Sequence, residues 1–171
     1  MERKNRLNHA GVTLVEIIIV IAIIGILAST SVLLLGHLHY ADTEKVVKTL
    51  DSSLNELQVK NMSKADASYL YVYHLGNGYY FKILSEDLSG FDGSKLDSSG
   101  TRLSNNTIEI YGQDSSGTRI TIKNTTNIIK VSYTKSATFD TAATNVQQIV
   151  IDGTPKHSIA LVYDTGKHFM D

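Results

Sequence analysis

Residues 11–35 read GVTLVEIIIVIAIIGILASTSVLLL, and the reading of the whole chain turns on them. The run from Ile17 to Ala28 is unbroken by any polar side chain. As a helix, residues 12–35 reach about 36 Å at about 1.5 Å per residue. The hydrocarbon core of a bilayer is about 30 Å thick, so the segment is expected to span a membrane. Glu16, four places after Val12, is the one charge inside it. A carboxylate costs roughly 2.5–3.5 kcal/mol at the centre of a span and less near its edge, so Glu16 is expected to have a partner. A cut between Gly11 and Val12 would supply one, an α-amine one helical turn from the carboxylate.

Upstream, Met1 to Gly11 carries Arg3, Lys4 and Arg6 against Glu2, a short basic leader expected to stay on the cytoplasmic side. Downstream, Tyr40, Val47, Leu50, Leu54 and Leu57 recur at helical spacing, with Asp42, Glu44, Lys45, Lys48 and Asp51 mostly between them. That pattern predicts one helix from about Val12 to about Met62, roughly 75 Å long, amphipathic in its second half. From Ser68 the period changes to that of strands. Tyr69 to His74 and Tyr79 to Leu84 flank Gly76-Asn77-Gly78 as a hairpin. Further strands are expected at 107–111, 119–123, 128–133, 147–151 and 158–163, and Gly90 to Asn106 reads as a loop. The fold class is therefore α+β, a long N-terminal helix with an antiparallel sheet packed on its second half. The divisions are a leader at 1–11, a membrane and filament-core helix at 12–35, its amphipathic continuation at 36–62, and a β-rich head at 63–171.

Gly11-Val12-Thr13-Leu14-Val15-Glu16 followed by IIIVIAIIGILA closely resembles the class III signal of type IV pilins, competence pilins and type II secretion pseudopilins. The resemblance implies a membrane peptidase that cuts after Gly11 and N-methylates Val12, and it makes Glu16 the assembly glutamate, paired with the terminal amine of a neighbouring subunit. It implies the ladle shape of pilins and a structural subunit rather than an enzyme. Other pilin subunits, the prepilin peptidase, an assembly platform with its ATPase and the membrane are the implied partners. The place implied is the bacterial cell membrane, crossed once, and then a filament at the surface or in the envelope. Val12 stands where the family usually has an aromatic residue, and Leu33 where many members have a proline. The close, Tyr163-Asp164-Thr165-Gly166-Lys167, is similar to that of minor pseudopilins.

Two other readings of the N-terminus are an ordinary signal peptide cut near Ala28-Ser29-Thr30-Ser31 and an uncleaved signal anchor. The signal peptide does not explain Glu16 at the border of the apolar run, Gly11 before Val-Thr-Leu, or the continuation through Val32 to Leu35 past the cut; the signal anchor would hold an enzyme domain at the surface.

The head offers no catalytic motif. The chain has no cysteine, which excludes disulfides and thiolate sites by count. No cofactor or metal is expected: His37 and His39 lie two apart on a helix and point to different faces, and His74, His157 and His168 lack ligand spacing. Asp92, Ser94, Asp97 and Ser99 lack the order of a calcium loop. Tyr69, Tyr71 and Tyr73 are expected to pack across strands rather than to form a binding platform. Arg119, Lys123, Lys130 and Lys135 would be the core of a DNA surface in a competence-type subunit, the alternative to a structural one. Charge speaks against it: a chain with 16 basic and 17 acidic residues, on losing three basic and one acidic with its leader, goes from −1 to −3. The sequons at Asn61, Asn105 and Asn124 mean little if the protein is bacterial, as the resemblance implies.

Overall fold

The computed structural model describes residues 13–88, 94–123 and 127–171, with only the backbone described over 30–39. The leader, Gly11, Val12, Phe91, Asp92 and the Asn124 sequon lie outside the described residues, as do the side chains of Leu33, Leu35, His37 and His39. One helix, α1 (Leu14–Ser63), precedes nine strands: β1 (Tyr69–Leu75), β2 (Gly78–Leu84), β3 (Thr101–Asn105), β4 (Glu109–Gln113), β5 (Arg119–Thr121), β6 (Ile129–Ser132), β7 (Gln148–Asp152), β8 (His157–Val162) and β9 (Lys167–Met170). The chain divides into two units, Met1–Leu38 and His39–Asp171.

In the first unit the described side chains of α1 find nothing to bury against. The large apolar residues from Leu14 to Leu27 are 50–75% exposed. Among the described residues no helix is long and apolar enough to cross a membrane. The expected span at 12–35 includes Val12 and the side chains of residues 30–35, which fall outside them.

In the second unit α1 is amphipathic, and its buried face is the one its spacing predicts over Val47, Leu50, Leu54 and Leu57, joined by Val46, all at most 5% exposed. Tyr40, expected on that face, is exposed. Thr43, one turn before Val46 and Val47, takes the last inward position and is fully buried. It fits because Gly153 faces it: a Cβ there would lie 2.3 Å from the threonine Oγ1.

The strands form two antiparallel sheets, ordered β3-β2-β1-β6 and β5-β4-β7-β8-β9, where one was expected. The division comes from β6, which pairs back to β1 through Tyr69↔Ser132 to Val72↔Ile129 rather than with its neighbours in sequence. The α1 face shares one apolar core with Leu70, Val72, Ile129 and Val131 of the first sheet and Ile110, Ile149, Ile151, Ile159 and Leu161 of the second. Two strands are departures from the sequence reading. β3 lies inside the segment read as a loop, and β9 lies past the last expected strand. Both are short edge strands, and β3 reads Thr-Arg-Leu-Ser-Asn, with one inward apolar residue and little periodicity to detect.

The far face of the first sheet carries a second, smaller core. Tyr71 and Tyr73 are fully buried there with Leu88 and Leu96. Residues 85–88 and 94–100 lie against them as a strap latched by polar contacts. The Tyr71 hydroxyl donates to the Glu86 carbonyl at 3.1 Å and accepts from the Leu88 amide at 2.8 Å. The Tyr73 hydroxyl donates to the Asp97 carbonyl at 2.6 Å. Lys82 Nζ donates to the Lys95 carbonyl, Asp97 Oδ1 and Ser99 Oγ at 2.8–3.0 Å. β1 is thus buried on both faces, which explains its nearly uninterrupted aromatic and aliphatic composition.

Candidate functional site

The site the sequence points to is the start of α1. An α-helix leaves its first four N–H groups without intrahelical partners, and a side chain just before the helix can accept one of them. Thr13 does so: its Oγ1 accepts from the Glu16 amide at 3.2 Å. Glu16 reciprocates, Oε2 accepting from the Thr13 amide at 2.8 Å and from the Thr13 hydroxyl at 3.0 Å. The Thr13 carbonyl takes the first helical bond, from the Ile17 amide at 3.3 Å. This is a capping box, Thr-x-x-Glu, followed by an apolar run. The positive end of the helix dipole adds to the attraction for a carboxylate in the first turn.

Thr13 is a residue that attention to the charge alone passes over. Its signal was present as a threonine three places before a glutamate at the head of an apolar stretch. The box engages Oε2, and Oε1 makes no hydrogen bond among the described residues. The carboxylate is therefore held in one orientation with an oxygen left to accept a further donor. Gly11 and Val12, the expected cleavage and methylation residues, lie outside the described residues.

The other sequence candidates are dispersed. His74 meets Asn106 Oδ1 at 2.9 Å and the edge of Tyr79. His157 Nδ1 meets the Asp171 backbone oxygen at 3.0 Å. His168 lies 3.0 Å from Asp51 of α1 and 3.3 Å from the Tyr133 hydroxyl. Among the described residues no group of three or more His, Cys, Asp or Glu side chains could hold a metal.

Asp97 is committed to Ser99 and Lys82, and these contacts, the Ser99 hydroxyl foremost, pull its carboxyl down to about 2. Tyr71 and Tyr73 are no platform, since the strap covers them, and burial pushes both phenols up to about 12. The basic residues of the middle strands are largely engaged. Arg119 pairs with Glu109 and lies over the Tyr111 ring at 3.9 Å. Lys130 pairs with Asp87, and Lys135 donates to the Lys64 carbonyl. A concavity of about 550 Å³ is an open groove along α1 between Ala41 and Glu56, lined by Glu44, Lys45, Lys48 and small polar residues. It brings no nucleophile and base together.

Comparison with known families matches residues 6–32 to the prokaryotic N-terminal methylation motif. The chain therefore carries the class III signal of type IV pilins and pseudopilins, a signal of structural proteins processed by a prepilin peptidase. Thr13 and Glu16 both fall within the match. No curated protein and no solved structure matches the chain.

Proposed function

We propose that the chain is the precursor of a filament subunit of the type IV pilus or type II secretion pseudopilus kind, held in the membrane by residues 12–35, cut after Gly11, methylated at Val12, and polymerised through α1. The observation that carries this reading is the first unit's helix, whose large apolar residues from Leu14 to Leu27 are all exposed and which opens with the Thr13–Glu16 capping box. Leaving a large aliphatic side chain in water rather than burying it costs roughly 1.5–3 kcal/mol. A helix with such residues on every face requires an apolar surrounding on every side, lipid for the waiting subunit and other helices in the filament.

Extraction from lipid is then offset by helix packing, and Glu16 supplies the register. Its free oxygen accepts from the Val12 amine of an adjacent subunit while Thr13 holds the other oxygen. A buried charge pair of this kind contributes little net stability, but a wrong axial offset leaves both charges unpaired, which costs several kcal/mol. The ending at 163–167 favours a minor subunit of a secretion or pilus-priming system.

The test is Glu16→Ala together with Gly11→Arg. Glu16→Ala is expected to be inserted and cleaved but absent from sheared filaments, and filament content equal to wild type would refute the pairing. Gly11→Arg is expected to accumulate as uncut precursor. Mass spectrometry of the native N-terminus should find methyl-Val12; a terminus at or beyond Ser29 would replace this reading with an ordinary signal peptide.

A further inference from the structure

β9 closes the five-stranded sheet, with β8 on one side and, among the described residues, no strand on the other. Ser158 and Asp171 exchange both backbone bonds, at 3.1 and 2.9 Å. Backbone groups alternate direction along an antiparallel strand, so residues 167, 169 and 171 turn theirs toward β8, while His168 and Met170 turn theirs to the open edge. Side chains alternate too. His168 enters the core side against Asp51, and Lys167, Phe169 and Asp171 stand on the opposite face. Phe169 is 57% exposed and Met170 51% exposed, an aromatic and a thioether at an unpaired strand edge. A groove of about 300 Å³, lined in part by Asn55, Gln58 and Phe169, opens beside it.

We propose that this edge is a self-docking surface, on which a second copy of the chain adds its own β9 antiparallel, centred on Phe169. The charges select that occupant and that register. With Phe169 opposite Phe169 of the second copy, Lys167 falls opposite Asp171 of the second copy, and the pairing repeats by symmetry. In the same register His168 and Met170 of the second copy lie directly opposite each other, each with its backbone donor and acceptor facing the junction, so four ladder bonds form. A slip of one residue turns Phe169 to the other face and loses both charge pairs. Such a contact is isologous and closes at two copies. It therefore joins one filament to another, or two free subunits, and does not lengthen a filament.

The chain has no cysteine, so one introduced thiol is unambiguous. Phe169 would occupy a non-hydrogen-bonded pair, where Cβ atoms approach to about 4.5–5.5 Å, within a small adjustment of disulfide geometry. Full-length Phe169→Cys in detergent, under mild oxidation, is expected to give at least tenfold more covalent homodimer than Ser115→Cys, placed in an exposed turn. Adding Lys167→Glu should lower the dimer yield about tenfold, since like charges then face each other twice. Adding Asp171→Lys to that variant should restore it. Yields equal to the Ser115→Cys control, no recovery in the charge-swapped variant, or crosslinking to a different protein would each overturn the proposal.

Discussion

Replacing Asn61 by alanine tests the account of how the end of α1 is fixed to the sheets. Asn61 is 1% exposed, and all its hydrogen-bonding capacity is directed inward. Its Nδ2 donates to the Ser68 and Tyr133 carbonyls at 2.9 Å each and to Ser132 Oγ at 3.2 Å, and its Oδ1 accepts from the Ser68 amide at 2.7 Å. Alanine removes all four. The Ser68 carbonyl keeps the Ser132 hydroxyl at 2.9 Å, but the buried Ser68 amide loses its partner. An unsatisfied buried donor costs about 1–3 kcal/mol, and each lost net bond about 0.5–1.5 kcal/mol. A loss of about 3–5 kcal/mol follows, a large fraction of the stability of a domain this size.

Urea unfolding of the full chain in detergent, followed by tyrosine fluorescence, measures it. Asn55→Ala, which removes an exposed side chain bonded among the described residues to Asp51 alone, should cost under about 0.5 kcal/mol. Asn61→Asp keeps the shape and the acceptor but loses the donor, and should destabilise more at neutral pH than at acid pH, where a protonated carboxyl can donate. A loss below about 1 kcal/mol for Asn61→Ala would mean that the network does not hold the helix end.

Gly166→Ala should be destabilising by more than about 2 kcal/mol in the same assay, because the residue sits at φ +63° and a Cβ would lie 1.7 Å from the Ala137 carbonyl oxygen. The Asp97 latch sets a pH window. Its carboxyl is held at about 2, below its usual value near 3.9, so its contribution is present above about pH 4 and disappears as pH falls toward 2. Proteolysis between residues 85 and 100 should quicken over that interval, and Asp97→Asn should abolish the pH dependence. Leu54→Ala, at a fully buried position where α1 meets the sheets, should cost about 2–5 kcal/mol with no change in N-terminal processing.

The methylation motif at the N-terminus was legible because its signals are local. A charge beside an apolar run and a glycine before it are read within a few residues; the threonine three places ahead of the glutamate was missed, although helix capping is itself a local interaction. The second half of α1 was open to reading, since Val47, Leu50, Leu54 and Leu57 follow the helical period. At its margin the reading failed: Tyr40 has the right spacing but the wrong neighbours, and Thr43 took the inward place because Gly153, more than a hundred residues away, left room for it.

What the linear chain determined alone was therefore each segment's own conformation: the extent of α1, the hairpin of β1 and β2, the turns, and the chemistry at the helix start. The tertiary structure decided which segments met. The pairing of β6 with β1, the two sheets in place of one, the strap over Tyr71 and Tyr73 and the role of Asn61 depend on contacts between distant residues. Periodicity states which face of a strand is apolar, but not which other strand lies beside it. The edge strands β3 and β9, short and nearly without pattern, owe their conformation to the ladder beside them.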